Sequence, residues 1–582
     1  MKSSDVAKKR KTFLEREDVK DAYIREMTGT VSALCFYNAQ SNYDVLSGGQ
    51  TDLFKCFLPL AWSILNSSGI GGYVHPEGVY EEQNAGILRE ALYKKLVYHF
   101  QFQNEKDIFP IAHSKTFSVN VFSNAKESID FLNINNLYAV ESIEGCFTNT
   151  EEVNHSKKDI LGNWNVQTDI HRLIRITEEE LAVFAEIYGA ERKLYTRLPV
   201  IHTDTLLSVL KCFTGRFEKL NENDFFGSEM WHETYAVRDG IIKAYDGEIE
   251  KPEYCVLSGP NIGEANMYSK QPRINCSSKG DYDNISLDEV VSGQCVVPRV
   301  KYIPADSELY SKNLPVVDGV KFDEKYRIVF RKMLSKSSEL NLKCTLIPPK
   351  VSYVNSIVGY SFRDEGKMVY LSGLLNSLVY IYLINSTGKM NFTSNTISIV
   401  PVPDNQYKNA IMLRGLRLNA ISPLYANLLK HVYTDEFQMD KTLISSIKTS
   451  LDCNITNEWN ELFAIWRDLD RYITMVELDV LAAKGIGMTL KQLIDLYSIN
   501  YPNMDDNEKN TWYDQEGKIV FTTNKSFVKY GVSKEIWEKN KDKSFSDIDL
   551  LGINRNYVAP YFRTNRVSLY KEAWDMASKL YE

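Results

Sequence analysis

Long hydrophobic runs are scarce in this sequence of 582 residues. The longest run, residues 371–384, is interrupted by two serines, a glycine and an asparagine, whereas a membrane-spanning helix needs roughly 20 apolar residues. We therefore expect residues 371–384 to form a buried core helix that does not span a membrane. The chain also opens on polar and basic residues, which is not typical of a secretory signal.

Cysteine pairs are missing as well. The nine cysteines are an odd number and include no Cys-x-x-Cys pair. This pattern indicates a reducing compartment and argues against a disulfide framework and against a zinc ribbon. The sequence therefore predicts a cytoplasmic protein without a metal site.

The composition is that of a folded protein with several domains, since 44% of residues are hydrophobic and 12% are aromatic. A net charge of −8 argues against a protein coated with nucleic acid. One segment departs from this average: residues 321–350 carry eight basic and three acidic side chains, a local charge of +5. This segment is interpreted either as a DNA-facing surface or as a solvated helix face with ion pairs.

The first clear architecture lies between residues 49 and 122. Leu53, Phe57, Ala61 and Leu65 recur at helical spacing behind Thr51, a candidate helix cap. A glycine turn, a short buried strand at 73–75, a helix over 86–98 with Leu96 on its apolar face, and a strand at 117–122 follow. This order is typical of the second half of a nucleotide-handling α/β sheet.

Gly69, Gly71 and Gly72 resemble a phosphate-binding loop, but they lie between a helix and a strand. Cofactor-binding glycines follow a strand and open a helix, because the helix N-terminus holds the anion. We therefore expect no cofactor to bind at these glycines.

Further motifs follow one another along the chain: IFP at 108–110, RLPVIH at 197–202, EMWHET at 229–234, LSGP at 257–260, VPRVKY at 297–302, YRIVFR at 326–331 and WYDQEGKIVFT at 512–522. Their order is that of gamma-type adenine-specific DNA methyltransferases of the type IIG, DISARM-like and BREX-like kinds, and the chain resembles the C-terminal portion of that family. The resemblance covers residues 50–531.

Two motifs of that family are missing here: the strand-turn-helix that binds S-adenosylmethionine, and the Asn/Asp-Pro-Pro-Tyr/Phe catalytic loop. The only Pro-Pro pair, Pro348-Pro349, is preceded by Ile347 and followed by Lys350. An exocyclic amine is a poor nucleophile, and the family's loop accepts its hydrogen bonds while an aromatic ring stacks on the extruded base. The resemblance therefore implies no catalytic or cofactor-binding residue in this chain, with S-adenosylmethionine on a partner chain.

The resemblance implies an α/β fold: the back portion of a methyltransferase-type sheet, an α+β target-recognition region and a helical C-terminal region. The expected divisions are a basic helical segment (1–49), a partial methyltransferase domain (50–150), an α+β connector (151–300), a target-recognition domain (301–405) and a mainly helical region (406–582). Phe109 is the candidate for stacking on the flipped base, although core packing explains it equally well. The candidate contacts to double-stranded DNA are Arg299, Lys301, Arg327, Arg331 and Lys350, for which surface ion pairs are the alternative.

Two functions remain open from the sequence. The chain is either the DNA-binding and target-recognition part of a split adenine methyltransferase in restriction-modification or phage defence, or a truncated or degenerate module that binds DNA or a partner without catalysis. In the first case an N-terminal methyltransferase half or another defence-system subunit is the expected partner.

Overall fold

The computed structural model describes residues 3–47, 49, 52–124, 126–159, 161–215, 217–249, 251–278, 280–289, 299–334, 340–524, 531–550 and 552–582. The chain forms two compact units. Unit 1 comprises Met1–Val153 and Val166–Asp204, and unit 2 comprises Asn154–Asn165 and Thr205–Glu582. The predicted α/β class is confirmed, because several sheets are combined with a largely helical C-terminal region. The finer five-part division stays a prediction.

Unit 1 begins with helices and continues as an α/β sheet. Its elements are α1 (Ser3–Phe13), α2 (Glu17–Asn38), α3 (Leu53–Ile64), β1 (Ile70–Pro76), α4 (Gly78–Glu81), α5 (Gly86–Tyr93), β2 (Leu96–Gln103), β3 (Thr116–Ser123), β4 (Asp130–Leu137), α6 (Ser142–Thr148), β5 (Ile174–Thr177) and α7 (Glu178–Tyr188).

The sheet of unit 1 has the strand order β1-β3-β2-β4-β5. Strand β3 pairs antiparallel with both β1 and β2, so β1 and β2 run parallel to each other with β3 between them. Strand β4 is parallel to β2, and β5 is antiparallel to β4. The two parallel strands are joined through α4 and α5, as a parallel connection requires.

The predicted succession of helix, strand, helix and strand is confirmed in α3, β1, α5 and β3, but three details differ. The helix predicted over 86–98 ends at Tyr93, and Leu96 begins strand β2. Strand β1 is longer than predicted and lies at the edge of the sheet; Val74, in the strand predicted to be buried, is exposed, and so is Ile70. The predicted cap Thr51 lies outside the described residues.

Unit 2 contains the remaining elements, except that Asp204, the first residue of α8, belongs to unit 1. Up to residue 362 they are α8 (Asp204–Lys211), β6 (Glu218–Lys219), β7 (Phe225–Ser228), α9 (Glu233–Arg238), β8 (Ile242–Ala244), β9 (Val256–Leu257), β10 (Lys270–Pro272), β11 (Tyr282–Asn284), β12 (Tyr302–Pro304), α10 (Ser307–Lys312), β13 (Val316–Val317), β14 (Val320–Lys321), β15 (Arg327–Arg331), β16 (Cys344–Ile347), β17 (Ser352–Tyr353) and β18 (Ile357–Phe362).

The helical part of unit 2 follows. Its elements are α11 (Glu365–Leu375), α12 (Leu378–Ser386), α13 (Ser394–Ile397), β19 (Pro401–Val402), α14 (Lys408–Asn419), α15 (Ala426–Val432), α16 (Asp468–Gly485), α17 (Leu490–Asn500), α18 (Pro502–Lys509), β20 (Trp512–Tyr513), β21 (Ile519–Phe521), α19 (Lys534–Asn540), β22 (Phe545–Ile548), β23 (Asn554–Tyr557) and α20 (Arg566–Tyr581).

The core of unit 2 lies where helices cover a four-stranded sheet of order β16-β15-β18-β7. Helix α11 packs on this sheet and is crossed by α14. Gly373 of α11 and Gly415 of α14 meet there, since a Cβ added to Gly415 would lie 2.8 Å from the Gly373 nitrogen. Only glycines permit two helix backbones to approach this closely.

The hydrophobic run at 371–384 is buried as predicted, but it forms two helices rather than one. Helices α11 and α12 meet at an angle of 84°. The bend lies at Ser377, whose hydroxyl accepts a hydrogen bond from the Tyr380 amide and so caps α12. In the described part of the chain, no single helix has both the length and the apolar character needed to cross a membrane.

Candidate nucleic-acid interface

Phe109 lies in the loop between β2 and β3 of unit 1. Its side chain is 40% exposed, and its ring stands edge-on to Phe117 of β3 with 4.8 Å between the centroids. Asn104, which is fully buried, organises the loop: its amide donates to the carbonyls of Phe109 and Ile111, and its oxygen accepts from the Phe109 amide. The loop therefore presents a partly packed aromatic ring that retains accessible surface.

Arg327 is not accessible to DNA. The residue is completely buried in β15, and its guanidinium donates to the carbonyls of Lys325 and Pro348 at 2.9 Å each. Burial lowers the pKa of this guanidinium. A side chain in this position cannot reach a phosphate, so the structure corrects the predicted role: Arg327 holds backbone segments together.

Arg331, at the end of β15, is also committed to the backbone. Its guanidinium donates to the carbonyls of Gly259, at 2.7 Å, and Ile262, at 2.5 Å. Burial lowers its pKa to about 10, at which the group is still charged near neutral pH. Arg331 of the string YRIVFR thus holds the backbone at and after the string LSGP. This geometry does not support the predicted contact with DNA.

Arg299 and Lys301 precede β12 and are half-buried. The Arg299 guanidinium donates to the Pro272 carbonyl at 3.1 Å. The Lys301 ammonium lies 3.5 Å from the Glu233 carboxylate. Both cations therefore have protein partners, and the alternative of an ion pair applies to Lys301.

Lys350 is exposed, and its ammonium pairs with Glu324 at 3.0 Å. A pair this exposed contributes little stability, about 0–1 kcal/mol, so a phosphate could replace the carboxylate. Elsewhere in the basic segment Lys332 pairs with Glu229 and Lys343 with Glu264, while Lys336 lies outside the described residues. Because these lysines are paired with acidic residues, the described residues of the segment do not form one continuous cationic surface.

A cleft of about 830 Å³ lies beside this segment in unit 2. It opens at the N-terminus of α11, where Asp364 caps the helix by accepting from the Lys367 amide. Lining side chains of three kinds meet here: the cationic or protonatable Lys325, Arg363, Lys367, Lys408 and His431, the acidic Asp364 and Glu365, and the aromatic Tyr326, Phe362 and Tyr370. We call this the α11 cleft.

Ion pairs with acidic residues neutralise part of the positive charge in the α11 cleft. Arg363 lies 3.5 Å from Asp318, Lys367 lies 3.4 Å from Asp224, and Lys408 lies 3.0 Å from Asp404. These ion pairs are partly solvent-exposed, so the lysine and arginine side chains can exchange partners at little cost. Because the lining comes from β18, α11, β19, α14, α15 and the segments between such elements, no local sequence pattern indicates that these residues converge.

A buried polar cluster in unit 1 was also missed by the sequence interpretation. Glu77 accepts hydrogen bonds from the His99 ring nitrogen Nε2, at 3.3 Å, and from the Gln101 amide, at 3.2 Å. The other ring nitrogen of His99 lies 2.6 Å from Asn133 Oδ1. Burial alone would raise the pKa of Glu77, but His99, together with Ser118 and His75, outweighs this effect, and the pKa is lowered. The cluster joins the end of β1 to the middle of the sheet and is enclosed by protein.

The glycines that resemble a phosphate-binding loop do not have the geometry of one. Gly71 and Gly72 lie within strand β1 rather than in a turn that opens a helix. The described part of the chain also contains no group of three or more His, Cys, Asp or Glu side chains arranged to hold a metal ion.

No family model matches the chain. No curated protein matches it. Among solved structures, it is similar to the type IIL restriction-modification enzyme MmeI in complex with DNA, with 8% identity and a TM-score of 0.31 over 78% of this chain and 53% of that one.

Two further structures are similar at the same level. One is the type IIG restriction endonuclease BpuSI, with 11% identity and a TM-score of 0.24 over 75% of this chain and 49% of that one. The other is the ATP-dependent type ISP restriction-modification enzyme LlaBIII bound to DNA, with 9% identity and a TM-score of 0.28 over 67% of this chain and 28% of that one. TM-scores this low do not establish a shared fold, and the chain spans about half the length of these proteins or less.

Proposed function

We propose that the chain is the DNA-binding and target-recognition portion of a site-specific adenine DNA methyltransferase that serves restriction-modification or phage defence together with a partner chain. The strongest support is the sheet of unit 1, in which the parallel strands β1 and β2 enclose the antiparallel β3. In the described residues this sheet is not preceded by a strand, a glycine turn and a helix. The partner supplies that part, with S-adenosylmethionine and the catalytic loop.

On this proposal the chain binds the DNA duplex and the extruded base. The exposed part of Phe109 offers a stacking surface for an extruded adenine, which would replace the stacking that the base gives up when it leaves the duplex. Lys350, and Arg363 in the α11 cleft, are exposed and only weakly paired, so both side chains are suited to binding phosphates.

A reconstitution experiment tests the proposal. The chain is purified alone and together with a co-encoded protein that carries the Asn/Asp-Pro-Pro-Tyr/Phe loop, and transfer of labelled methyl groups to plasmid DNA is measured. We expect methylation of adenine by the mixture only. Methylation by this chain alone, or an inert mixture that nevertheless forms a complex, would contradict the proposal; the second result favours a binding module without catalysis.

The binding of DNA phosphates is tested through its salt dependence. The double variant Arg363→Glu with Lys350→Glu should bind duplex DNA more weakly, and the slope of log K against log salt should fall by about 1 for each phosphate that the variant no longer binds. Lys541→Glu, an exposed lysine in an ion pair with Glu538, is the matched control. An unchanged slope in the double variant would exclude both residues as phosphate ligands.

The stacking role of Phe109 is tested with 2-aminopurine in place of the target adenine. Phe109→Ala should lower the fluorescence change that accompanies base extrusion and slow methylation by the mixture. Ile111→Ala is the control, since Ile111 is 45% exposed in the same loop. Equal effects of the two substitutions would indicate a general role of the loop rather than stacking.

A further inference from the structure

The outer edge of β1 differs from the edges that soluble proteins usually expose. Strand β1 pairs with β3 over seven residues in unbroken register, and its other side pairs with no strand in the described part of the chain. Its sequence, IGGYVHP, contains no charged residue except the ionisable His75, which is buried. Exposed edges are usually short, charged or bulged, because unpaired amides and carbonyls recruit other strands.

The opposite edge of the same sheet shows the usual protection. Strand β5 has four residues, and its Arg175 forms a two-point ion pair with Asp130 on β4. The chain then turns directly into α7, capped by Thr177. One edge of the sheet is therefore blocked, whereas the other is left open.

The surfaces beside the open edge are apolar and uncharged. On β1, Ile70 is 71% exposed and Val74 is 55% exposed. Helix α3, which packs against β1, exposes four large side chains at the spacing of one helical face: Leu53 (53%), Phe57 (63%), Leu60 (52%) and Ile64 (78%). The only charged residue of α3, Lys55, is buried and pairs with Glu82 at 2.5 Å.

We propose that these six side chains and the open edge of β1, which we call the α3–β1 edge, form the docking surface for a β-strand of the partner chain. The inference rests on the proposed function and specifies how the partner binds: its strand extends the sheet next to β1, and an adjoining apolar segment packs on α3. The two chains then complete one sheet.

The open strand edge identifies the occupant. Unpaired backbone groups of an extended strand are satisfied by another strand, which is the basis of recognition by strand addition. The exposed faces of α3 and β1 carry no charge. This indicates that the added strand becomes an interior strand of the sheet, with apolar residues packed on it, as in sheets covered by helices. DNA does not suit this surface, because neither α3 nor β1 offers an exposed cation to a phosphate.

The test places one charge on each element of the edge. Ile64→Glu alters α3 and Val74→Lys alters β1, while Leu462→Glu is the control because Leu462 is 74% exposed in unit 2. The probe is the co-encoded protein with the Asn/Asp-Pro-Pro-Tyr/Phe loop, and its dissociation constant is measured by calorimetry. We expect each edge substitution to weaken the complex by about tenfold or more, as at interface hot spots, and the control by less than about twofold.

Three further measurements make the outcome decisive. The DNA affinity and melting temperature of the isolated variants should equal those of the parent chain, which shows that the substitutions have not unfolded it. Hydrogen exchange of the β1 amides should slow when the complex forms. Sedimentation of the chain alone tests the other occupant, a second copy paired through β1.

The docking surface and the proposed function can fail separately. If the mixture methylates DNA and the co-encoded protein binds both edge variants as tightly as the parent chain, the docking inference is overturned and the proposed function stands. A complex that both substitutions weaken, but that does not methylate DNA, supports the docking surface and removes the proposed function. A self-association abolished by the same substitutions, or the absence of any complex, overturns the inference.

Discussion

Two apolar helices, each packed on a sheet, differ in what covers their outer faces. Helix α11 of unit 2 is enclosed by protein: every residue from Met368 to Leu375 is buried. Helix α3 of unit 1 buries Cys56, Leu58, Ala61 and Trp62 but exposes an equally apolar face. A helix that is apolar all round requires protein on all sides. The chain itself covers the outer face of α11, whereas the described residues leave the outer face of α3 uncovered.

The largest expected effect comes from removing side chains of equal size from these two helices. Leu371→Ala in α11 leaves a cavity in a fully buried site and should lower the free energy of unfolding of unit 2 by about 2–5 kcal/mol. Ile64→Ala in α3 removes a side chain that is 78% exposed, so its effect should stay within about 0.5 kcal/mol. Urea unfolding, followed separately for the two units, measures both. Equal losses would mean that α3 is covered in solution.

The sequence predicted the helices and strands that follow a single local period. Leu88 and Leu92, which lie within the helix predicted over 86–98, are both buried in α5. Strand β3 follows the alternation at 117–122. In such elements one face is buried throughout, so the pattern of apolar residues records the structure directly.

Strand β2 was missed because Leu96 continues the helical spacing of Leu88 and Leu92. Helix α5 ends before Leu96 because the residues from Leu96 onward pair as β2 with β3 and β4, which lie further along the sequence. The α11 cleft was missed because its lining comes from five helices and strands, together with segments between such elements, that are not consecutive in the sequence. The bend at Ser377 was visible in principle, because serine is a preferred helix cap.

A second comparison concerns two cations of the basic segment that the sequence treats as equivalent. Arg327→Met should lower stability by about 1–3 kcal/mol, because the carbonyls of Lys325 and Pro348 lose their buried donor. Lys350→Met breaks only an exposed pair and should change stability by less than about 1 kcal/mol. Denaturant unfolding of both variants checks the difference. A loss of DNA affinity by a stably folded Arg327→Met protein would contradict the structural role.

Alanine substitutions of two helical glycines should have opposite effects, because one helix is covered by protein and the other is not. Gly415→Ala in α14 should destabilise unit 2 by about 1–3 kcal/mol, because the added methyl group meets the backbone of Gly373. Gly29 lies in α2, which has no buried residues, and a Cβ there would meet nothing within 4 Å. Gly29→Ala should therefore stabilise its helix by about 0.5–1 kcal/mol. Thermal unfolding with helical circular dichroism resolves the two signs, and a destabilising Gly29→Ala would show that α2 is packed against protein.

The smallest expected effect concerns the covered face of α3 and depends on pH. His75 of β1 stacks on Phe54 of α3, with 5.4 Å between the centroids, and its Nε2 is buried without a hydrogen-bond partner among the described residues. Burial lowers the pKa of this imidazole, so the unfolded chain binds a proton more readily than the folded one. Stability should therefore fall as the pH drops below about 6.5, the ordinary value for histidine. His75→Phe keeps the stacking and removes the titration, so its unfolding free energy should decline less between pH 7.5 and pH 5.

A second group titrates outside this window: Glu77, whose pKa is also lowered, contributes its own loss of stability only at lower pH. Equal declines in the two proteins would show that His75 gains water or a partner in solution, and hence that the face between α3 and β1 is less enclosed than its burial indicates.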